Sequence, residues 1–116
     1  MITAITVAMG KKSSGSRQAE AAAVLADCLR LAASAQTYCA ISRALGGGGA
    51  SFDGITFAKC GWRSQENENG TYFFLRIRNN HFQVRGYGSG NVAVSVPVYP
   101  DSVGTPTILM DGISYP

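Results

Sequence analysis

Apolar residues recur at helical spacing through the first half of the chain. No proline interrupts residues 17–44, alanine and leucine are frequent, and apolar positions repeat at intervals of three and four. A first stripe of such positions contains Val24, Cys28, Leu31, Ala35 and Tyr38, and a second stripe beside it contains Leu25, Leu29, Ala32 and Ala33. The pattern predicts an amphipathic helix over residues 17–44. Because apolar residues cover more than half of its circumference, we expect the helix to be buried on two sides.

A shorter apolar segment, residues 1–10, precedes this helix. Residues 11–16 separate the two with lysines, serines and a glycine, which predicts a loosened stretch of low helix propensity. The segment is too short to span a bilayer, which takes about 20 apolar residues. A signal peptide would carry its positive charges before the apolar run, whereas Lys11 and Lys12 follow it. We therefore expect residues 1–10 to be the end of a longer apolar helix that needs a partner to cover it.

The second half of the chain begins with a run of glycines and continues with segments in which apolar and polar residues alternate. Gly46, Gly47, Gly48 and Gly49 stop the helix and open a loop over residues 46–70, either as a flexible or as a closely packed connector. Alternation of apolar and polar residues predicts strands over 71–78, 81–87 and 91–99, and the tail from residue 105 is again strand-like, with a turn at Asp111-Gly112.

These elements predict one α+β domain, in which a long N-terminal helix packs on a small antiparallel sheet. Its parts are the helix over residues 1–45, the glycine-rich loop over 46–70 and the sheet over 71–116. The composition, with 46% hydrophobic and 15% charged residues, excludes a disordered tail. A net charge of +3 favours contact with anionic surfaces, but it is too small for a dedicated nucleic-acid-binding domain.

The three cysteines allow two interpretations. In an oxidising compartment, Cys39 near the helix end and Cys60 in the following loop are the favoured disulfide pair, and Cys28 is a core side chain. That bridge would close a loop of about 20 residues and contribute roughly 3 kcal/mol. The alternative is three buried free thiols.

No catalytic residue, metal ligand or cofactor is predicted. The glycine run lacks the Lys-Ser/Thr pair of a phosphate-binding loop, and the only histidine, His81, has no nucleophile beside it. Glu66 and Glu68 lie in a polar loop, where solvation explains them. Asn69-Gly70-Thr71 is a glycosylation sequon, and its simpler role is a turn into the first strand.

Four segments together resemble type IV pilin-like proteins. They are the helical stretch 27–38, Ala44-Leu45 with the four glycines, residues 51–56 (Ser-Phe-Asp-Gly-Ile-Thr) and residues 69–72 (Asn-Gly-Thr-Tyr). Residues 4–7 (Ala-Ile-Thr-Val) also look like the distal part of the pilin N-terminal segment, so the resemblance covers roughly residues 1–78, and the later strands agree in class only. The basic leader, processing site and early glutamate of such pilins are not found here, so we expect a native subunit that continues upstream or has been trimmed.

The resemblance implies a structural subunit of an extracellular, cell-surface filament rather than an enzyme. Its partners would be identical copies in a helical assembly and the pilus assembly machinery, with membrane contact only before assembly. The residues expected to carry assembly are Ile2, Ile5, Val7, Met9, Val24, Leu25 and Leu29. Against this stands the simpler hypothesis that residues 17–44 are the core helix of a monomer.

The alternative function is a surface module that binds single-stranded nucleic acid or takes up DNA. Tyr72, Arg76, Arg78 and Arg85 are the candidate residues, since a basic, aromatic sheet face can stack bases and contact phosphates. Solvent-facing sheets commonly carry the same residue types, so this pattern is weakly specific.

Overall fold

The computed structural model describes residues 14–111 and 113–115, and the predictions made for residues 1–13 lie outside them. The first element is a 27-residue helix, α1 (Ser14–Ala40). It includes residues 14–16, which were predicted as loosened, and it ends four residues before the predicted end at Ala44. The helix stops there because Ser42 takes an extended conformation with ψ 153°, and Arg43–Leu45 forms a separate 3-10 turn.

Seven antiparallel strands follow within the described residues. They are β1 (Glu66–Asn67), β2 (Gly70–Leu75), β3 (Phe82–Gly88), β4 (Val92–Tyr99), β5 (Ser102–Val103), β6 (Thr107–Met110) and β7 (Ile113–Tyr115). Their order in the sheet is β1-β2-β3-β4-β6-β7, and β5 pairs with the far end of β4 beyond β6. β2 is shorter than the predicted strand 71–78 because Arg76 adopts a left-handed φ of 54°, which ends the extended backbone.

The helix covers one face of this sheet. Buried residues recur on α1 every three or four positions, and on β3 and β4 at every second position, so the two patterns face each other. The sheet contributes Tyr72, Phe82, Val84, Val92, Val94, Val96 and Val98 to the shared core, and the helix contributes Val24, Cys28, Leu31, Ala32 and Ala35. The predicted α+β arrangement, a long helix packed on a small antiparallel sheet, is confirmed.

Gly86 sets how closely the helix approaches the sheet. A Cβ atom on Gly86 would lie 2.6 Å from Val24 Cγ1 and 2.7 Å from Tyr72 Cε2, so any larger residue would push the two layers apart. Val24 fills the space left above Gly86, and its side chain has no exposed surface. Gly86 therefore allows the helix and the sheet to approach closely at Val24.

The glycine run is closely packed. Backbone N–H groups of Gly47, Gly48, Gly49 and Ala50 donate to the carbonyls of Ser42, Tyr38, Ile41 and Cys39. These bonds satisfy carbonyl groups that the end of a helix leaves without partners. Of the two connectors that the sequence allows, the structure contains the closely packed one.

Candidate functional site

The side of α1 that faces away from the sheet is largely apolar. Two of the nine exposed positions over residues 17–40 are polar, Gln18 and Arg30; the other seven recur every three or four residues, at Ala19, Ala22, Ala26, Leu29, Ala33, Thr37 and Ala40. None of these seven is charged, and Thr37 donates its hydroxyl to Ala33 O within the helix at 3.2 Å. Helices of globular proteins normally carry charged and polar residues on this side. We call these seven residues the outer helix face.

The predicted assembly residues occupy different places. Leu29 belongs to the outer helix face and is 39% exposed, whereas Leu25 is half-buried against the core. Val24 lies wholly inside the domain, so its side chain is not available to another molecule in this structure. The remaining four, Ile2, Ile5, Val7 and Met9, lie outside the described residues.

The apolar surface continues past the end of the helix. Ile41 is 38% exposed, and Leu45, carried on the 3-10 turn, is 81% exposed. Both line a depression of about 460 Å³ between the helix end, the glycine run and Lys59. Because the bonds of the glycine run fix the backbone around Leu45, this large apolar side chain is held in solvent by an ordered loop.

A polar cluster within the fold was not predicted. Asp27 is only 2% exposed. Its Oδ2 accepts hydrogen bonds from Tyr72 Oη at 2.7 Å and from the side-chain amides of Asn67 and Asn69, each at 2.9 Å. Its Oδ1 accepts from Arg30 Nη1 at 2.8 Å. We call these five residues the Asp27 cluster, and it joins α1 to the hairpin formed by β1 and β2.

The hydrogen-bond donors around Asp27 determine its ionisation state. Burial acts to raise the pKa of the Asp27 carboxyl, but the hydrogen bonds from Tyr72, Asn69 and Asn67 and the charge of Arg30 outweigh it, and the pKa lies below its usual value of 3.8. Burial, and then the bond to Asp27, raise the pKa of Tyr72. Asp27 is therefore ionised and Tyr72 is a neutral donor at neutral pH.

An open depression of about 400 Å³ lies beside this cluster. Arg30 crosses it, with its guanidinium 5.3 Å from the centre of the Trp62 ring, and Arg63, Glu66 and Glu68 line the rest. The face of Trp62 that Arg30 covers is not open to a ligand. The two glutamates lie on the exposed side of the hairpin, as expected for solvated carboxylates.

The predicted nucleic-acid face is not assembled in this structure. Tyr72 is fully buried beneath the helix, and its hydroxyl is bound to Asp27. Arg85 lies on the opposite face of the sheet, where its Nε donates to Ser95 Oγ at 2.9 Å. Arg76 and Arg78 follow the end of β2 and lie in the exposed loop before β3. The four residues therefore share no surface, because the strand ends before the alternation reaches the two arginines.

The predicted Cys39–Cys60 disulfide is not formed either. Cys28, Cys39 and Cys60 are all buried free thiols. Cys60 lines the depression near Tyr38 and Ile41, whereas Cys39 is one position further round the helix than Tyr38, so its side chain points about 100° away. Burial raises the pKa of Cys28 to about 12 and that of Cys60 to about 11, which keeps these thiols protonated and unreactive.

Among the described residues there is no group of three or more His, Cys, Asp or Glu side chains placed to hold a metal ion. Over the same part of the chain, no helix is long and apolar enough to cross a membrane. Comparisons with protein-family models, with curated proteins and with solved structures found no match to this chain.

Proposed function

We propose that this chain is the structural subunit of an extracellular filament of the type IV pilin-like kind, which assembles from identical copies through its helix. The observation that carries the proposal is the outer helix face. A helix that is buried on one side and presents seven uncharged, mostly apolar positions on the other has a second apolar surface, which the described part of its own domain does not cover. The sequence resemblance supports the same function.

Identical copies are the natural cover for such a face. Alanine allows helix backbones to approach closely, and side chains at intervals of three and four form the ridges that interlock in helix packing. Repeated contact between two different surfaces of the same chain does not close on itself and produces an open filament. In this arrangement the helices occupy the interior, and the sheet, on the other side of each helix, faces solvent.

The free energy gained by burying one outer helix face is modest. Residues 19–40 span about 32 Å of helix, and a stripe about 10 Å wide along it covers roughly 300 Å². At about 25 cal/mol per Å², burying that area gives roughly 7 kcal/mol before the costs of association are subtracted. The apolar residues predicted for assembly in segment 1–10 would add to this area in the full chain.

The test places charge on the outer helix face. In the full chain, Ala26→Asp with Leu29→Asp should abolish fibres seen by negative-stain microscopy, because two carboxylates would have to be buried between subunits. Both positions are exposed, so circular dichroism should show an intact fold. The matched control is Thr56→Asp with Thr105→Asp, which adds the same charge at exposed loop positions and should leave fibres unchanged.

Two results would overturn the proposal. Fibres that persist in Ala26→Asp/Leu29→Asp would show that the helix is not in the filament interior. A wild-type chain that remains dispersed at every concentration would refute the filament function itself.

A further inference from the structure

Two charged loops lie at opposite ends of β2. The first is the turn between β1 and β2, where Glu66 and Glu68 are exposed. Neither glutamate forms an ion pair with any described residue. The turn lies beside the middle of α1, because Asn67 and Asn69 bind Asp27. We call it the acidic hairpin.

The second is the loop between β2 and β3, residues 76–81, in which Arg76 and Arg78 are exposed. Neither arginine has an ion-pair partner within the described part of the chain. The backbone N–H of Arg78 donates to His81 O at 2.8 Å and closes the loop. Asn79 O accepts from Phe52 N at 3.0 Å, which places the loop beside the end of α1. We call it the basic loop.

Nearby charged residues reduce the net charge of each loop but do not neutralise it. Arg63 lines the same depression as the two glutamates, which leaves the acidic hairpin with a net charge of about −1; Arg30 in that depression is already neutralised by Asp27. Asp53 follows Phe52 and leaves the basic loop at about +1. The two loops therefore remain opposite in sign.

Their separation is set by the strand between them. From Thr71, which pairs with Glu66, to Arg76 there are five steps of an extended chain, or about 17 Å. Both loops are anchored to the fold by hydrogen bonds, so neither can fold back to neutralise the other.

We propose, on the basis of the filament function, that the basic loop of one copy docks on the acidic hairpin of a neighbouring copy. The two copies lie side by side in the same orientation, displaced along the direction of β2 by about the 17 Å that separates the loops. The charge complementarity between the two loops favours a second copy of this chain as the occupant. It is a contact between two different surfaces, so each copy offers one of each, and the pairing continues along the filament.

The test exchanges the charges in the full chain. Glu66→Lys with Glu68→Lys, or Arg76→Glu with Arg78→Glu, should each raise the concentration needed for sedimentable fibres about tenfold, because like charges then face each other. The chain that carries all four changes should return to the wild-type concentration, since the pairing is restored with its signs exchanged.

A matched control separates docking from net charge. Asp101→Lys with Thr56→Lys and Thr105→Lys alters the net charge as much as the glutamate changes do, at exposed positions outside both loops, and should not raise the required concentration. The docking proposal is wrong if wild-type fibres form but the charge-reversal and control variants raise the required concentration equally. It is also wrong if the chain with all four changes does not return to the wild-type concentration. In either case the filament proposal stands. If the wild-type chain forms no fibres at all, both are wrong.

Discussion

A carboxylate loses its hydrogen bonds to water when it is buried, and four hydrogen bonds from side chains replace them at Asp27. Three come from residues of the β1–β2 hairpin, 40 to 45 positions away in the sequence, and one comes from Arg30. Bonds to a charged group are each worth about 1.5–3 kcal/mol, and an unpaired buried charge is costly. Asp27 therefore stabilises the contact between α1 and the hairpin.

Replacement of this carboxylate should be costly at neutral pH. We expect Asp27→Asn to lower the free energy of unfolding by about 3 kcal/mol at pH 7, because an amide cannot accept all four bonds. Since the pKa of Asp27 is lowered in the folded state, its stabilisation is present above about pH 3.8 and is lost as the pH falls through the folded-state pKa.

The difference between wild type and Asp27→Asn should therefore narrow in acid, which urea denaturation at pH 7 and pH 3 would measure. Asp53→Asn, at an exposed position, serves as the control and should change little at either pH. A difference that is the same at both pH values would contradict the role given to the ionised carboxylate.

The cysteines allow a second prediction at this scale. All three are buried thiols, so the native chain should react slowly with a thiol reagent, and its melting temperature should not respond to a reductant. In denaturant without reductant, three thiols per chain should be titrated. A count of one would indicate a disulfide.

Single residues show where sequence reasoning fails. The two apolar stripes left Asp27 outside the predicted core, and Tyr72 was interpreted as part of a solvent face. Periodicity assigns a face to each residue within its own element, but not which distant element covers that face. A polar residue next to the apolar stripe at Val24 and Cys28 was the available signal, and it could not identify partners in the β1–β2 hairpin.

At the scale of elements, the glycine run is the most constrained segment. A Cβ atom on Gly48 would overlap the carbonyl oxygen of Ser51 and lie 2.8 Å from Tyr38 Cε2. Gly46 has φ 91°, and a Cβ there would meet nothing within 4 Å. Gly48 is thus required by space, and Gly46 by backbone conformation alone.

Alanine substitution separates the two requirements. Gly48→Ala should destabilise the domain by about 3 kcal/mol through the backbone overlap, and Gly46→Ala by about 1 kcal/mol through left-handed strain. Chemical denaturation of each variant would measure this. Equal effects would mean that the loop relaxes around Gly48, contrary to the close packing described.

Long elements were predictable and short ones were not. The helix, β3 and β4 were found because their patterns extend over many residues. β1 and β5 have two residues each, too few for any alternation to be recognised. The helix end was placed too late because Ala44 and Leu45 are good helix formers, although Ser42 is extended.

At the scale of the whole molecule, the size of the outer helix face limits how copies associate. The roughly 300 Å² estimated for one stripe is well below the 800 Å² or so that each partner buries in a stable dimer. An isolated pair should therefore be weak, and a copy becomes stable only when several neighbours surround it.

Assembly should accordingly begin at a threshold concentration. Analytical ultracentrifugation of the full chain should find monomers below the threshold and large species above it, with no persistent dimer between them. A stable dimer over a wide concentration range would mean that the face is covered pairwise, and it would favour a closed complex over a filament.

The position of Asn69 in the Asp27 cluster has a consequence for the chemical ageing of the chain. An asparagine followed by glycine is the pair most prone to spontaneous deamidation, and here Gly70 follows Asn69. The product would place a second carboxylate where the amide now donates to Asp27 Oδ2 at 2.9 Å, and two like charges at that distance repel. The folded cluster holds the amide in place, so a loosened hairpin would deamidate first and would then be unable to close again.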